Sequence, residues 1–279
     1  KSFLIGLVYD NPDKFYLSDI QSGVLETCAK NGFSVVLFPC NHKEKDLTEK
    51  LIEFAKRTNL DGLILTPPIS DMKELVRNLQ LKIPLCVVSP GLLTSNPLCV
   101  SSDDFKATYS MTCHLIKQGH KEIGFIKGHK DHGATQHRLD GYLDALSDNN
   151  IQIKQENITE GDFSFDSGEI AAKQLLKKGA SKVTAIFASN DAMAAGVLKA
   201  AHKAKINIPN DISLVGFDNS PTASQAWPSI TTIAQPIKEM ASSAAQILID
   251  NISNKSEKKN VNKVFGSELI FRESVKKIN

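Results

Sequence analysis

The sequence predicts an α/β fold made of two doubly wound parallel-sheet subdomains, and three observations carry that prediction. Short apolar runs alternate with amphipathic helical stretches along almost the whole chain. The runs are continuous rather than alternating in polarity, as strands buried on both faces require. The length of 279 residues, 41% of them hydrophobic, suits about two domains, each able to bury its own core.

In chain order the apolar runs are FLIGLVY (3–9), FSVVLF (33–38), GLILT (62–66), PLCVV (84–88), IGFI (123–126), VTAIFA (183–188) and ISLVGF (212–217). Between them, Leu139, Tyr142, Leu143 and Leu146 fall at helical spacing, and Gly168, Ala171, Ala172, Leu175 and Leu176 repeat the stripe. Ile237, Met240, Ala241, Ala244, Ile247 and Leu248 do so again, after a proline at 236 where a first helical turn tolerates one. Gly32, Gly119 and Gly179 each stand where a helix ends and a positive φ is wanted. The pattern reads as two similar halves, about 1–100 and 102–235, joined by the turn-rich segment LTSNPLCVSSDD (93–104). A tail follows: a long helix (about 236–253), a polar lysine-rich loop and one strand (about 263–271). It is too small for a third domain and must pack on the first two.

Composition excludes several classes of function. Lys and Arg number 33 against 31 Asp and Glu, a net charge of +2, so the chain lacks the basic footprint of a nucleic-acid-binding surface. The dense basic runs at 255–263 and 276–277 read as solvated surface. Five cysteines, none closely spaced, argue against a disulfide framework and a structural zinc site and favour a reducing compartment. Cys86, inside PLCVV, reads as core. No signal peptide is visible at the start, and no apolar run approaches the roughly 18 residues of a membrane span.

In open α/β sheets, ligands bind beyond the carboxyl ends of the strands. Asp10 and Asn11 follow the first run, and Thr66 and Ser89 follow the third and fourth. In the second half the corresponding residues are Gly128 and His129, then Ser189, Asn190 and Asp191, then Asp218 and Asn219. Carboxylates and amides suit a polyhydroxylated ligand, because each pairs with adjacent hydroxyls and the site then rejects analogues lacking them. Tyr9, Phe15, Tyr16, Phe163 and Trp227 offer aromatic faces for a sugar ring near the same ends. Taken singly, these Asp and Asn residues are also ordinary N-caps and turn formers, and Asn190 is well placed to cap the helix DAMAAGVLKAA (191–201).

Catalytic signatures are sparse. GxGxxG, GxxxxGK[ST] and GxSxG are all absent, so neither a phosphate cradle nor a hydrolase elbow has support. His129, His132 and His137 cluster in GHKDHGATQHR (128–138), yet their spacing and the lack of a nearby glutamate favour a solvated loop over a metal site. An acid/base pair of Asp191 with Asp218 stays open, since carboxylate separation is a structural quantity. The expectation is a non-enzymatic chain with no cofactor and no metal.

The order of motifs resembles the effector-binding core of LacI/GalR-type bacterial transcription regulators, which share the periplasmic-binding-protein type I fold. IGLVYDN opens it, and DGLIL (61–65), HLIKQGHKEIGFIKG (114–128), RLDGYLDAL (138–146), IFASNDAMAAGVLKAA (186–201), ISLVGFDN (212–219), PSITTIAQP (228–236) and ELIFRES (268–274) follow in family order. The resemblance covers essentially the whole chain. It implies an N-terminal subdomain of residues 1–101 plus 236–265 and a C-terminal subdomain of 102–235 plus 266–279, with a ligand in the cleft between them. Arg138 of the RxxGY motif, Asn190 of SND and Asp218 of VGFD take the family's hydroxyl-binding positions. Phe163 in GDFS takes a stacking position. Asp10, Phe15, Trp227 and Gln235, the last at a subdomain crossing, complete the implied set.

The same resemblance implies a cytoplasmic homodimer that reads a small effector, a mono- or disaccharide, and responds through operator DNA. The helix-turn-helix that would hold the DNA precedes the first strand in this family and is absent from these 279 residues. The helix from Asp191 to Ala204 and the loop after Asp218 are the implied C-terminal dimer face. A periplasmic sugar-binding protein of an uptake system is the alternative with the same fold.

Overall fold

The structure, a computed structural model, describes residues 1–91, 98–177, 183–253 and 261–278. In chain order the elements are β1 (Leu4–Tyr9), α1 (Lys14–Lys30), β2 (Ser34–Pro39), α2 (Leu47–Arg57), β3 (Gly62–Leu65), α3 (Lys73–Gln80), β4 (Leu85–Val88) and β5 (Leu98–Ser102). Then come α4 (Asp104–Lys117), β6 (Ile123–Ile126), α5 (Gly133–Asp148), β7 (Ile158–Thr159), α6 (Phe165–Leu175), β8 (Ala185–Ala188), α7 (Asp191–Lys203) and β9 (Ser213–Val215). The chain closes with α8 (Pro221–Gln225), β10 (Thr232–Ala234), α9 (Ile237–Ser253), β11 (Val261–Phe265) and β12 (Glu268–Ile270). Internal contacts divide it into two units. The first holds Lys1–Ser102, Asp131–Gly133 and Pro236–Phe265, and the second holds Asp103–Lys130, Ala134–Gln235 and Gly266–Asn279.

The first unit is a six-stranded parallel sheet in the order β11-β5-β4-β3-β1-β2. The period-2 rule sends Ile5, Leu7, Ile64 and Val88 to one face, against Ile20 and Val24 of α1 and Met240, Ala244 and Leu248 of α9. Val8, Leu63, Leu65 and Val87 face the other way, against Leu51 and Phe54 of α2 and Leu75 and Leu79 of α3. Helix α1 starts where Asp13 accepts the backbone N–H groups of Phe15 and Tyr16, an N-cap that satisfies two orphan donors. Its crossing with α9 depends on Gly23: a Cβ there would lie 2.3 Å from the Lys238 carbonyl oxygen.

The second unit is a four-stranded parallel sheet, β7-β6-β8-β9, with the antiparallel pair β10-β12 beside it. Ile126, Ile186, Ala188 and Leu214 pack on α6 and α7 through Ala172, Leu175, Met193 and Val197. Phe125, Phe187 and Val215 pack on α4 and α5 through Met111, Leu115, Tyr142 and Leu146. The Tyr142 hydroxyl is buried and donates to the Ile123 carbonyl at 2.8 Å. The C-terminal residues close the unit, with the Leu214 N–H donating to the Ser274 carbonyl and the Ile278 N–H to the Gln118 carbonyl.

Three sequence expectations change. The single tail strand at 263–271 is two strands, β11 pairing with β5 and β12 with β10, separated by Gly266 and Ser267. Segment 93–104 is not all turn, because Leu98, Cys99 and Val100 are buried at 3% exposure or less and form β5. Polar residues on both flanks hid that short run. The segment 128–138 is a loop only as far as His132, since α5 begins at Gly133 and carries His137; His132 itself is buried. Gly32 and Gly119 do take positive φ, +73° and +97°. Gly179, residues 93–97 of the joining segment and residues 255–260 of the basic run lie outside the described residues.

Candidate functional site

In the second unit, the carboxyl ends of β6, β8 and β9 gather the polar residues of the site. The strand order turns back between β6 and β8, so a crevice for a ligand is expected at their carboxyl ends. Arg138, on the second turn of α5, is the centre of the cluster and its side chain is only 6% exposed. Its Nε donates to Asp104 Oδ2 at 3.0 Å, its Nη1 donates to the Ser189 carbonyl, and Nη2 lies 3.9 Å from Asp218 Oδ1. The guanidinium carbon sits 3.7 Å from the centre of the Phe217 ring and 5.6 Å from that of Phe163. A planar cation held by an aromatic face and two carboxylates is fixed in direction as well as in charge.

Asp218 stands at φ +102° with Asn219 at +56°, and its N–H donates to the Ile233 carbonyl at 2.7 Å. Its Oδ1 accepts from Gln235 Nε2 at 2.7 Å, so Gln235 joins the cluster from the end of β10. Asn190 caps α7: its Oδ1 accepts the Met193 N–H, and its Nδ2 donates to the Phe163 carbonyl. That bond holds Phe163 at φ +70°, with its ring against Gly128, where a Cβ would lie 2.0 Å from Phe163 Cζ. Asp191, buried at 1% exposure, accepts from Thr232 Oγ1 at 2.6 Å and from the Ser220 N–H at 2.7 Å. Its carboxylate therefore ties the loop after β9 to β10.

In the first unit, Asp10 follows β1 beside the β1/β3 switch point and is paired with His42, whose Nδ1 lies 2.6 Å from Asp10 Oδ2. Phe15 occupies the first turn of α1 with its side chain 46% exposed. Cys40 is nearby, and burial together with the Asp10 and Glu44 charges pushes its thiol up to about 12. A thiol held that high is no nucleophile at neutral pH.

Arg138, Phe163, Asn190, Asp218 and Gln235 are thus brought together in one unit, and Asp10 and Phe15 stand in the other. Trp227 stays apart, 87% exposed in the loop after α8. Sequence reasoning missed Asp104, Phe217 and His42. The doubled aspartate of SSDD was a signal for Asp104: Asp103 caps α4, which leaves Asp104 for Arg138. Phe217 was hidden inside the apolar run ISLVGF.

The periplasmic binding protein-like domain matches residues 112–275. Over 283 aligned residues the chain is 31% identical to the HTH-type transcriptional repressor PurR of Vibrio vulnificus (strain CMCP6), covering 99% of this chain and 82% of the repressor. The structure of the transcriptional regulator CelR in complex with cellobiose aligns with a TM-score of 0.88 at 27% identity, over 98% of this chain and 84% of that one. A LacI family regulator from Enterococcus faecium with bound ribose aligns at 0.86 and 25% identity, over 99% of this chain and 100% of that one. The chain belongs to the LacI-type transcriptional regulators. It is the effector-binding core of such a regulator, and its relatives are repressors and regulators rather than uptake proteins or enzymes. Among the described residues of this LacI-type core, no helix is long and apolar enough to cross a membrane.

Proposed function

We propose that this LacI-type core senses a neutral polyhydroxylated effector, a mono- or disaccharide, without chemistry on it. Effector binding then alters the affinity of a DNA-binding helix-turn-helix for its operator. The observation that carries the reading is the charge balance around Arg138. One buried guanidinium faces two carboxylates, Asp104 and Asp218, so no surplus positive charge is left to attract a phosphate. Oriented acceptors and donors beside the Phe163 ring suit sugar hydroxyls and C–H faces, while the buried Phe217 ring backs the guanidinium. The cellobiose and ribose held by two structural relatives support the same class.

The proposed contacts are Arg138, Phe163, Asn190, Asp218 and Gln235 from one unit and Asp10 and Phe15 from the other, with Trp227 peripheral. We propose further that the protein acts in the cytoplasm as a homodimer, with α7 and the loop after Asp218 in the interface. The five cysteines, all free, fit that compartment.

A thermal-shift screen against mono- and disaccharides, phosphosugars, purines and nucleosides tests the reading, with Asp218→Asn beside the wild type. Asparagine keeps the shape and tolerates the positive φ at this position. A ligand that binds only the folded state raises the melting temperature as its concentration exceeds its dissociation constant. A sugar that shifts the wild type and not the variant is expected. A shift from a phosphosugar or purine, with every sugar silent, overturns the ligand class.

A further inference from the structure

Asp10 receives two hydrogen bonds from a single residue. The His42 backbone N–H donates to Asp10 Oδ2 at 2.8 Å, and the His42 ring places Nδ1 2.6 Å from the same oxygen. Among the described residues, Asp10 Oδ1 has no hydrogen-bond partner, and the side chain is 29% exposed. One carboxylate oxygen is clamped and the other is left as an open acceptor. The clamp is itself held. Asn41 Oδ1 accepts the Lys43 N–H at 3.0 Å, which shapes the turn that carries His42. On the far side of the ring, His42 Nε2 meets Asp131 Oδ2 at 3.1 Å. Asp131 lies in the short segment Asp131–Gly133 that belongs to this unit, and Gly133 is fixed there by its N–H donating to Asp71 Oδ2 at 2.9 Å.

We infer that His42 is a positioning residue for effector binding, holding the Asp10 carboxylate so that Oδ1 faces a hydroxyl of the sugar. The inference rests on the proposal that Asp10 contacts the effector. A carboxylate on a single rotatable arm loses orientational freedom when it binds. Fixing it beforehand moves that cost from the binding step into folding. The place fits the task, because Asp10 follows β1 at the point where the chain turns from β2 on one side to β3 on the other. Two features separate this role from simple loop stabilisation. Both His42 donors converge on one oxygen of a residue 32 positions earlier in the chain, and the second nitrogen is spent on keeping the ring in place.

The test uses the whole chain titrated calorimetrically with ribose, glucose, galactose and cellobiose, taking the tightest binder forward. His42→Ala is expected to weaken that sugar about tenfold, the loss of one oriented charge-assisted hydrogen bond. His42→Asn, whose side-chain amide reaches as far as Nδ1, is expected to recover most of the affinity. His42→Leu, of similar bulk and without a donor, is not. Asp10→Asn should weaken binding as well, and the His42→Ala and Asp10→Asn losses should fail to add in the double variant. Should the alanine variant fold poorly, the Asn and Leu variants decide, since both lose the contact with Asp131, both keep the backbone N–H to Asp10, and only Asn keeps a side-chain donor to it. Wild-type affinity in His42→Leu, or equal losses in the Asn and Leu variants, overturns the role of His42. It leaves the effector reading standing as long as Asp218→Asn still weakens the same sugar. Failure of every sugar to bind the wild type overturns that reading and this inference with it.

Discussion

Arg138 shows how one side chain can be read as a contact and turn out to be a support as well. Its exposure is 6%, and Asp104 beside it is 7% exposed. Removing one partner of a buried pair costs about 3–5 kcal/mol, because the other charge keeps its desolvation without its compensation. Arg138→Ala is therefore expected to lower the urea midpoint of unfolding as well as sugar affinity, with an unchanged denaturant slope, and is a poor probe of binding alone. A midpoint equal to that of the wild type would show that Asp104 does not depend on the guanidinium. His120 yields a prediction of a different kind. It is buried, with Nδ1 3.0 Å from Thr184 Oγ1 and Nε2 3.0 Å from the Lys276 carbonyl. Burial pushes its pKa below the ordinary 6.5, and the nearby His114 charge adds to the shift, against the Lys276 hydrogen bond. The folded state thus prefers the neutral ring, so this contribution to stability is complete above about pH 6.5 and is lost as the pH falls through the lowered value. Replacing His120 by Gln is expected to flatten the decline in melting temperature on acidification. An unaltered slope would place the sensitivity elsewhere, His114 being another histidine held low by burial.

At the scale of elements, the contact between α1 and α9 shows why a tail helix that follows the second half of the sequence belongs to the first unit. Met240, Ala241, Ala244 and Leu248 are fully buried, and the close crossing with α1 exists because position 23 has no side chain. Gly23→Ala gains up to about 1 kcal/mol in helix propensity and drives a Cβ into the Lys238 carbonyl, a backbone atom that cannot swing aside. Overpacking of this kind costs about 1–3 kcal/mol, so net destabilisation is expected in chemical denaturation. A stabilised variant would mean that the two helices yield. The buried strands were legible from the sequence because continuous apolar runs such as IGFI have few other readings. β5 and β10 were not, and β11 and β12 were read as one strand, since three to five residues with polar flanks carry too little period to be told from turns or to show a break. In the site, Asn190 and Asp218 were legible as strand-end polar groups. Asp104 and His42 were not, because their partners come from Arg138 and Asp10, more than thirty residues away in the sequence. Trp227 shows the converse, an aromatic near a motif that the fold leaves in the open.

For the whole molecule, the open position of Trp227 turns into an experiment, because it is the only tryptophan in the chain. A large apolar ring that is 87% exposed is unusual for a surface that meets only water, and it follows Asp218 in the loop proposed for the dimer interface. On the neighbouring helices Lys173, Lys199 and Lys203 share the single carboxylate of Glu169, so a net positive charge remains there, and added salt is expected to favour the approach of a second copy. If two copies meet there, burial of the indole moves its emission to shorter wavelength as protein concentration rises through the dissociation constant of the dimer. The melting temperature then rises with concentration too, since association stabilises only the folded chain. If Trp227 is a ligand contact instead, its emission moves on adding sugar at fixed concentration and not on dilution. The two responses separate because dilution changes association alone and sugar can be added at a concentration where association is constant. Trp227→Phe, followed by sedimentation, completes the argument: weaker association with unchanged sugar affinity assigns the residue to the interface, and the reverse pattern assigns it to the effector.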